Sequence, residues 1–197
     1  MNDLSSIKLL LKHLQRVPYL ASRDLYRVAD YFLNMSQEQS ELFCQTILTT
    51  KENIKPCEVC FAWKEKLDPC IFCQSPSRDS KIICVVETWQ ELLAIEKTSG
   101  YKGVYHVLKG VICPLDGIGP EDLTVEQLVV RANDAKEIIL ATNQTPEGEA
   151  TAAYIAKKLS DSSVKITCLA RGVPIGSSLD TMDRLTVFKA LSERRLF

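Results

Sequence analysis

Cys57, Cys60, Cys70 and Cys73 follow the spacing C-x2-C-x9-C-x2-C. Each C-x2-C pair turns two thiolates toward one point. Two such pairs close a tetrahedral sulfur shell that leaves no position open for catalysis. Soft thiolates without a histidine or carboxylate beside them select zinc over hard cations. The spacing therefore predicts one structural Zn2+, with an iron–sulfur cluster as the other metal reading. A redox C-x-x-C would instead stand alone, at the start of a helix after a strand. Residues 55–80 also carry Pro56, Pro69 and Pro76 and show no clear periodicity. They hold too little apolar material for a core of their own, which a metal would supply.

The other cysteines, Cys44, Cys84, Cys113 and Cys168, are scattered. Cys84 and Cys168 lie inside the apolar runs KIICVVE and VKITCLA and read as small buried hydrophobes. The opening MNDLSSIKLLLKHLQ is interrupted by Lys8 and Lys12 and shows no cleavage site of a secretion signal. No stretch approaches the ~20 apolar residues of a membrane helix. The expectation is a reduced, intracellular protein with no disulfide framework and no membrane contact. Net charge is -1, so the chain as a whole is not a basic nucleic-acid binder. The basic excess lies at the two ends and the acidic excess in the middle, a pattern that also suits solvated faces.

Periodicity divides the chain into modules. Leu4, Ile7, Leu10, Leu11 and Leu14 have helical spacing, and Val17–Pro18 end that helix. A second helix carries Leu25, Val28, Ala29 and Phe32. Ser36 opens a capping-box pattern before a third. From Lys81 the pattern alternates. Strands are expected at KIICVVE, VYHVL (104–108), KEIILAT (136–142) and VKITCLA (164–170). Helices are expected after Thr88, near Thr124, over 147–160 and near 183–193. Strands alternating with helices imply a parallel sheet covered on both faces, with functional loops at the carboxyl ends of the strands.

Glu87 ends the first of these strands. A metal-dependent phosphoryl-transfer enzyme would want paired acids after a later strand to hold Mg2+. The third strand instead runs into Ala141, Thr142, Asn143, Gln144 and Thr145, with no Asp-x-Asp. Glu147 and Glu149 open the next helix, where the helix dipole favours acids in any case. His13, in the first helix, and His106, in an apolar strand, read as structural.

Four segments stand out together: ICVVE (83–87), YHVLKGVICPLDGIGPEDL (105–123), EIILATNQTPEGEATAAYIA (137–156) and RGVPIGSSLDTMDRLTVFKAL (171–191). With the order of parts, they resemble the RecR family of bacterial recombination mediators over nearly the whole chain. The resemblance implies a multi-module α/β protein: an N-terminal helix-hairpin-helix-like region (1–54), a four-cysteine zinc finger (55–80), a Toprim-like parallel-sheet domain (81–176) and a C-terminal segment (177–197). It further implies a non-enzymatic role as a homodimeric or homotetrameric ring in the bacterial cytoplasm, associated with the nucleoid. There it would act with RecO, and in many bacteria RecF, to load RecA on gapped or single-stranded DNA.

The Toprim-like positions would be Glu87, Asn143 and Glu147. The family's hairpin reads roughly Leu-Pro-Gly-x-Gly. Here it is Val17, Pro18, Tyr19, Leu20, Ala21, with neither glycine, followed by Arg23 and Arg27. Glycine there lets backbone N–H groups approach a phosphate, and a Cβ makes the hairpin harder to form. Lys8, Lys12, Arg16, Arg23 and Arg27 are the candidate phosphate contacts. A Toprim-type nucleic-acid enzyme and a protein adaptor without DNA affinity are the alternatives.

Overall fold

The computed structural model describes residues 5–194. It divides into two compact units, which meet between Ile54 and Lys55.

The first unit holds helices α1 (Ser5–Leu14), α2 (Leu25–Leu33) and α3 (Gln37–Asn53). Leu14, Leu25 and Ala29 are buried together, with Leu10, Leu11, Leu20, Val28 and Phe32 packed around them. Ser36 accepts a hydrogen bond from the Gln39 N–H while Gln39 caps the Ser36 N–H, the reciprocal box expected from the sequence. Between α1 and α2 the chain turns at Pro18–Tyr19, where the Leu20 N–H reaches the Val17 carbonyl at 3.4 Å. Tyr19 has φ 63° and is fully exposed. Proline followed by a residue of positive φ marks a type II turn, whose third position normally takes glycine. The two missing glycines therefore do not abolish the turn. Tyr19 adopts the left-handed conformation with its Cβ in place.

In the second unit, strands β1 (Ile54–Pro56) and β2 (Trp63–Glu65) pair beside the cysteine cluster. Then follow β3 (Asp79–Val86), α4 (Trp89–Glu96), β4 (Gly103–Val107), α5 (Val125–Ala132), β5 (Glu137–Leu140), α6 (Pro146–Lys158), β6 (Lys165–Cys168) and α7 (Arg184–Ser192). The last four strands form one parallel sheet in the order β4-β3-β5-β6. Side chains alternate across it. Ile83, Val85, Val104, Ile138 and Leu140 face Leu128 of α5 and Ile155 of α6. Cys84, Val86, Tyr105 and Val107 face the other way, onto Leu92 of α4 and onto Cys57, Cys60, Ala62, Cys70 and Phe72.

The sheet is covered on both faces as its alternation implies, yet one cover is in large part the cysteine segment. That segment lacks a core of its own because it shares the sheet's. It also closes the edge strand. Two outward groups of β4 are taken up: the Val107 N–H donates to the Cys60 carbonyl at 2.8 Å, and the Tyr105 carbonyl accepts from Arg131 of α5 at 2.8 Å. An edge occupied in this way is not open to another strand.

The Tyr19 turn yields a test. A non-glycine residue in the left-handed region costs about 1–2 kcal/mol, and glycine's added unfolded-chain entropy returns about 0.5–1 kcal/mol of that. Tyr19→Gly is expected to raise the unfolding free energy of the first unit by up to about 1 kcal/mol in urea denaturation, with Tyr19→Ala near zero.

Candidate functional site

Two constellations stand out. In the first, the sulfurs of Cys57, Cys60, Cys70 and Cys73 all lie within 4.8 Å of one another. Cys57 and Cys73 stand 3.6 Å apart and Cys60 and Cys70 3.5 Å apart. Sulfurs at about 2.3 Å from a tetrahedral ion stand about 3.8 Å apart, so the shell already has the dimensions of an all-sulfur tetrahedral site. Its local scaffold is two reverse turns. The Phe61 N–H bonds the Cys57 carbonyl at 3.0 Å, the Gln74 N–H bonds the Cys70 carbonyl at 2.9 Å, and Gln74 accepts from the Cys70 N–H.

As bare thiols, Cys60 and Cys70 are pushed in opposite directions. The hydrogen bond with Cys70, and then burial, push Cys60 up, while the same contact pulls Cys70 down to about 2. A divalent cation resolves this by favouring every thiolate at once. Cys84 is also buried but has no such cluster; burial alone pushes it up to about 12, as fits a small core hydrophobe.

Beside this shell lies a buried polar triad that sequence reading missed. Arg131 bonds the Tyr105 carbonyl and, at 3.0 Å, His106 Nδ1. His106 Nε2 meets the Thr124 carbonyl and hydroxyl at 2.9 Å, and the Thr124 hydroxyl donates to the Val107 carbonyl. Because Arg131 only donates, His106 Nδ1 must accept and Nε2 must carry the proton. Burial, helped by Arg131, pulls His106 down to about 3, so it is neutral and structural. Burial also lowers Arg131, while the four cysteine sulfurs act to keep it charged.

The second constellation lies at the carboxyl ends of β3 and β5. Glu87 is 6% exposed. Its Oε1 accepts from the Asn143 backbone N–H at 2.6 Å and its Oε2 from the Asn143 amide at 2.7 Å. Gly148, at the start of α6, closes the space: a Cβ there would lie 2.2 Å from the Asn143 carbonyl and 2.7 Å from Glu87 Oε1. Glu91 adds a weaker contact to the same amide at 3.4 Å. Asn143 thus occupies the place beside Glu87 that a second acid would take. Paired carboxylates repel and call for a cation, whereas an acid and an amide satisfy each other. Glu147 is half-buried at the head of α6, and its carboxylate makes no hydrogen bond or ion pair among the described residues. Glu149 instead pairs with Lys189 at 2.8 Å and Arg171 at 3.3 Å.

The candidate phosphate contacts lie in the first unit. Lys8, Lys12 and Arg16 are exposed on or just after α1. Arg23 and Arg27, 87% and 85% exposed, each stand 3.6 Å from Asp24.

Asn143→Asp tests the acid–amide clasp. Two carboxylates in contact, one of them buried, raise the folded-state pKa above the unfolded value of about 4. The variant's stability is then fully present below that unfolded value and is lost as pH rises through the raised one. Urea denaturation is expected to show a loss of about 3 kcal/mol near pH 8 that shrinks on acidification toward about pH 5. Wild type is expected to lack that recovery.

Residues 81–170 match the Toprim domain model and residues 172–195 the model for the RecR C-terminal region. The chain is 40% identical over 189 residues to the recombination protein RecR of Carboxydothermus hydrogenoformans, covering 95% of this chain and 94% of that one. It is 40% identical to the RecR of Syntrophobacter fumaroxidans, covering 100% of this chain and 96% of that one. To the RecR of Rubrobacter xylanophilus it is 39% identical, covering 96% of each. The helices, the cysteine cluster and the parallel Toprim-like sheet are thus those of a recombination protein, and the chain belongs to the RecR family.

Proposed function

We propose that this protein is a non-enzymatic mediator of DNA repair that binds gapped or single-stranded DNA and assembles as a homodimeric or homotetrameric ring. It works in the bacterial cytoplasm, at the nucleoid, with RecO and, where present, RecF to load RecA. The observation that carries the non-enzymatic reading is the Glu87–Asn143 clasp. Both carboxylate oxygens are engaged, and the neighbour is an amide rather than the second acid a two-cation phosphoryl-transfer site requires. On this reading Glu87, Asn143 and Glu147 form a rigid platform for a protein partner. The four cysteines hold one structural zinc, which fixes the knuckle against the sheet. Within the second unit, residues 55–80, 81–176 and 177–197 act as finger, Toprim-like platform and assembly segment.

Assembly is supported by apolar surface left exposed among the described residues. Helix α3 has no buried residue, yet carries Leu42 at 68% and Leu48 at 56% exposure. Helix α7 exposes Leu185 and Phe188. A helix with apolar residues left in water gains stability only when another surface covers them.

DNA contact falls to Lys8, Lys12, Arg16, Arg23 and Arg27. One observation favours the adaptor reading, in which RecO carries the DNA: Asp24 stands beside both Arg23 and Arg27. These pairs are exposed, and such pairs are worth little against phosphate competition.

The test is a titration of labelled gapped and single-stranded DNA at two salt concentrations. Direct binding is expected to weaken with salt, and Arg23→Ala/Arg27→Ala to lower affinity and flatten the salt slope by about 1.5. Binding that needs RecO would favour the adaptor. Mg2+-dependent cleavage lost in Glu87→Gln would overturn the non-enzymatic reading.

A further inference from the structure

A cleft of about 360 Å3 opens between the cysteine knuckle and the sheet, lined by Pro56, Phe61, Trp63, Trp89, Val107 and Lys109, with Thr88 and Gln90 at its rim. None of these residues belongs to the metal shell or to the Glu87–Asn143 clasp. The volume is at the small end of ligand sites, which span roughly 300–1,000 Å3. It suits one flat ring system and is too small for a docked helix. The cleft lies outside the carboxyl ends of β3 and β4, where open α/β sheets place their ligands.

Both tryptophans of the chain are in this cleft. Trp63 is half exposed and Trp89 is 39% exposed, which is unusual for so large an apolar surface. Each is held by a rigid element. Trp63 sits on β2, against the knuckle. Trp89 is the first residue of α4, whose start is fixed by the Thr88–Glu91 capping box. The cation is also positioned. Lys109 is in the left-handed region, at φ 73°, and the next N–H, of Gly110, bonds the Glu87 carbonyl at 2.9 Å. Its ammonium stands 5.1 Å from the centre of the Phe61 ring. Backbone strain of this kind persists where the surroundings enforce it, and it gathers at ligand sites.

We infer that this cleft binds an unstacked nucleobase of single-stranded nucleic acid, with the indoles of Trp63 and Trp89 flanking the base and Lys109 taking the adjoining phosphate. Exposed aromatic faces beside a cation are the combination that single-strand binding uses. Every base offers a π-face, and its phosphate supplies the charge. An aromatic side chain of a partner protein would use the indoles, but only a nucleotide chain joins an anion to every ring it offers. The inference rests on the nucleic-acid binding proposed above, yet adds a contact separate from the basic residues of the first unit.

Because the chain's two tryptophans both line the cleft, emission excited where tyrosine does not absorb comes from cleft residues alone. The full-length, zinc-loaded protein would be titrated with oligothymidylate and with blunt duplex, reading tryptophan emission and the anisotropy of labelled DNA together. Oligothymidylate is expected to quench the emission. Trp63→Ala and Trp89→Ala are each expected to weaken single-strand binding roughly tenfold, at about 1–3 kcal/mol per stacked base, and to leave duplex binding unchanged. Trp63→Phe is expected to retain most of the affinity, and Lys109→Gln to reduce the salt slope by about 0.7. Single-strand binding by anisotropy without quenching, or variants that bind like wild type, would overturn the base site and leave the mediator reading standing. So would alanine variants that keep DNA affinity but lose a protein partner. Absence of any DNA binding, with or without RecO, would overturn both.

Discussion

The convergence of four cysteine sulfurs between 55 and 75 in the chain is the constraint on which the second unit depends. The knuckle supplies Cys57, Cys60, Ala62, Cys70 and Phe72 to the same apolar cluster as Val86, Leu92, Tyr105 and Val107. It also satisfies the edge of β4 through the Cys60 carbonyl. In most doubly covered parallel sheets a helix serves that purpose with its own hydrogen bonds. Here a stretch with two three-residue strands and no helix does so, and a chain that irregular has little local stability. A metal held by the four thiolates would supply the rigidity that so short a segment needs in order to pack. Arg131 fits the same account: it caps the β4 edge, and its charge is favoured by the sulfurs beside it.

The Glu87–Asn143 clasp depends on the sheet in turn. Parallel pairing of β3 with β5 in register, Val85 opposite Leu140, brings the end of one strand beside the loop after the other. Gly148 lets α6 start close enough to complete it. The geometry of a Toprim-like crevice is present, but its electrostatics are those of a satisfied hydrogen-bonded pair. The crevice is therefore suited to holding a fixed shape rather than to recruiting cations, and the apolar cleft between Trp63 and Trp89 opens beside it.

Much of this was legible in the residues. The capping boxes at Ser36 and Thr88, the alternating strands and the C-x2-C pairs are local signals, because each rests on contacts a few residues apart. The missing second acid was likewise legible at Asn143. What sequence could not give was long-range. The packing of the knuckle on the sheet joins Phe72 to Tyr105, and the Arg131–His106–Thr124 triad joins residues 18 to 25 apart through a buried contact. Trp63 and Trp89, 26 residues apart in the chain, line one cleft only because the fold brings β2 and α4 to it. At Tyr19 the sequence pointed to a harder turn, and the turn forms nonetheless, since Pro18 presets it and one residue's strain is small beside the packing of α1 on α2.

The most direct test of the shared core is amide hydrogen exchange with and without a metal chelator. If the thiolate-bound ion holds the knuckle in place as half of the sheet's cover, chelation will release protection in residues 57–73 and also in β4, at Val104–Val107 above all. Helix α6, packed on the opposite face, and strand β5, separated from β4 by β3, will lose less. Loss confined to residues 57–73, with β4 as protected as before, would contradict the account and make the knuckle an appendage to a sheet that is stable without it.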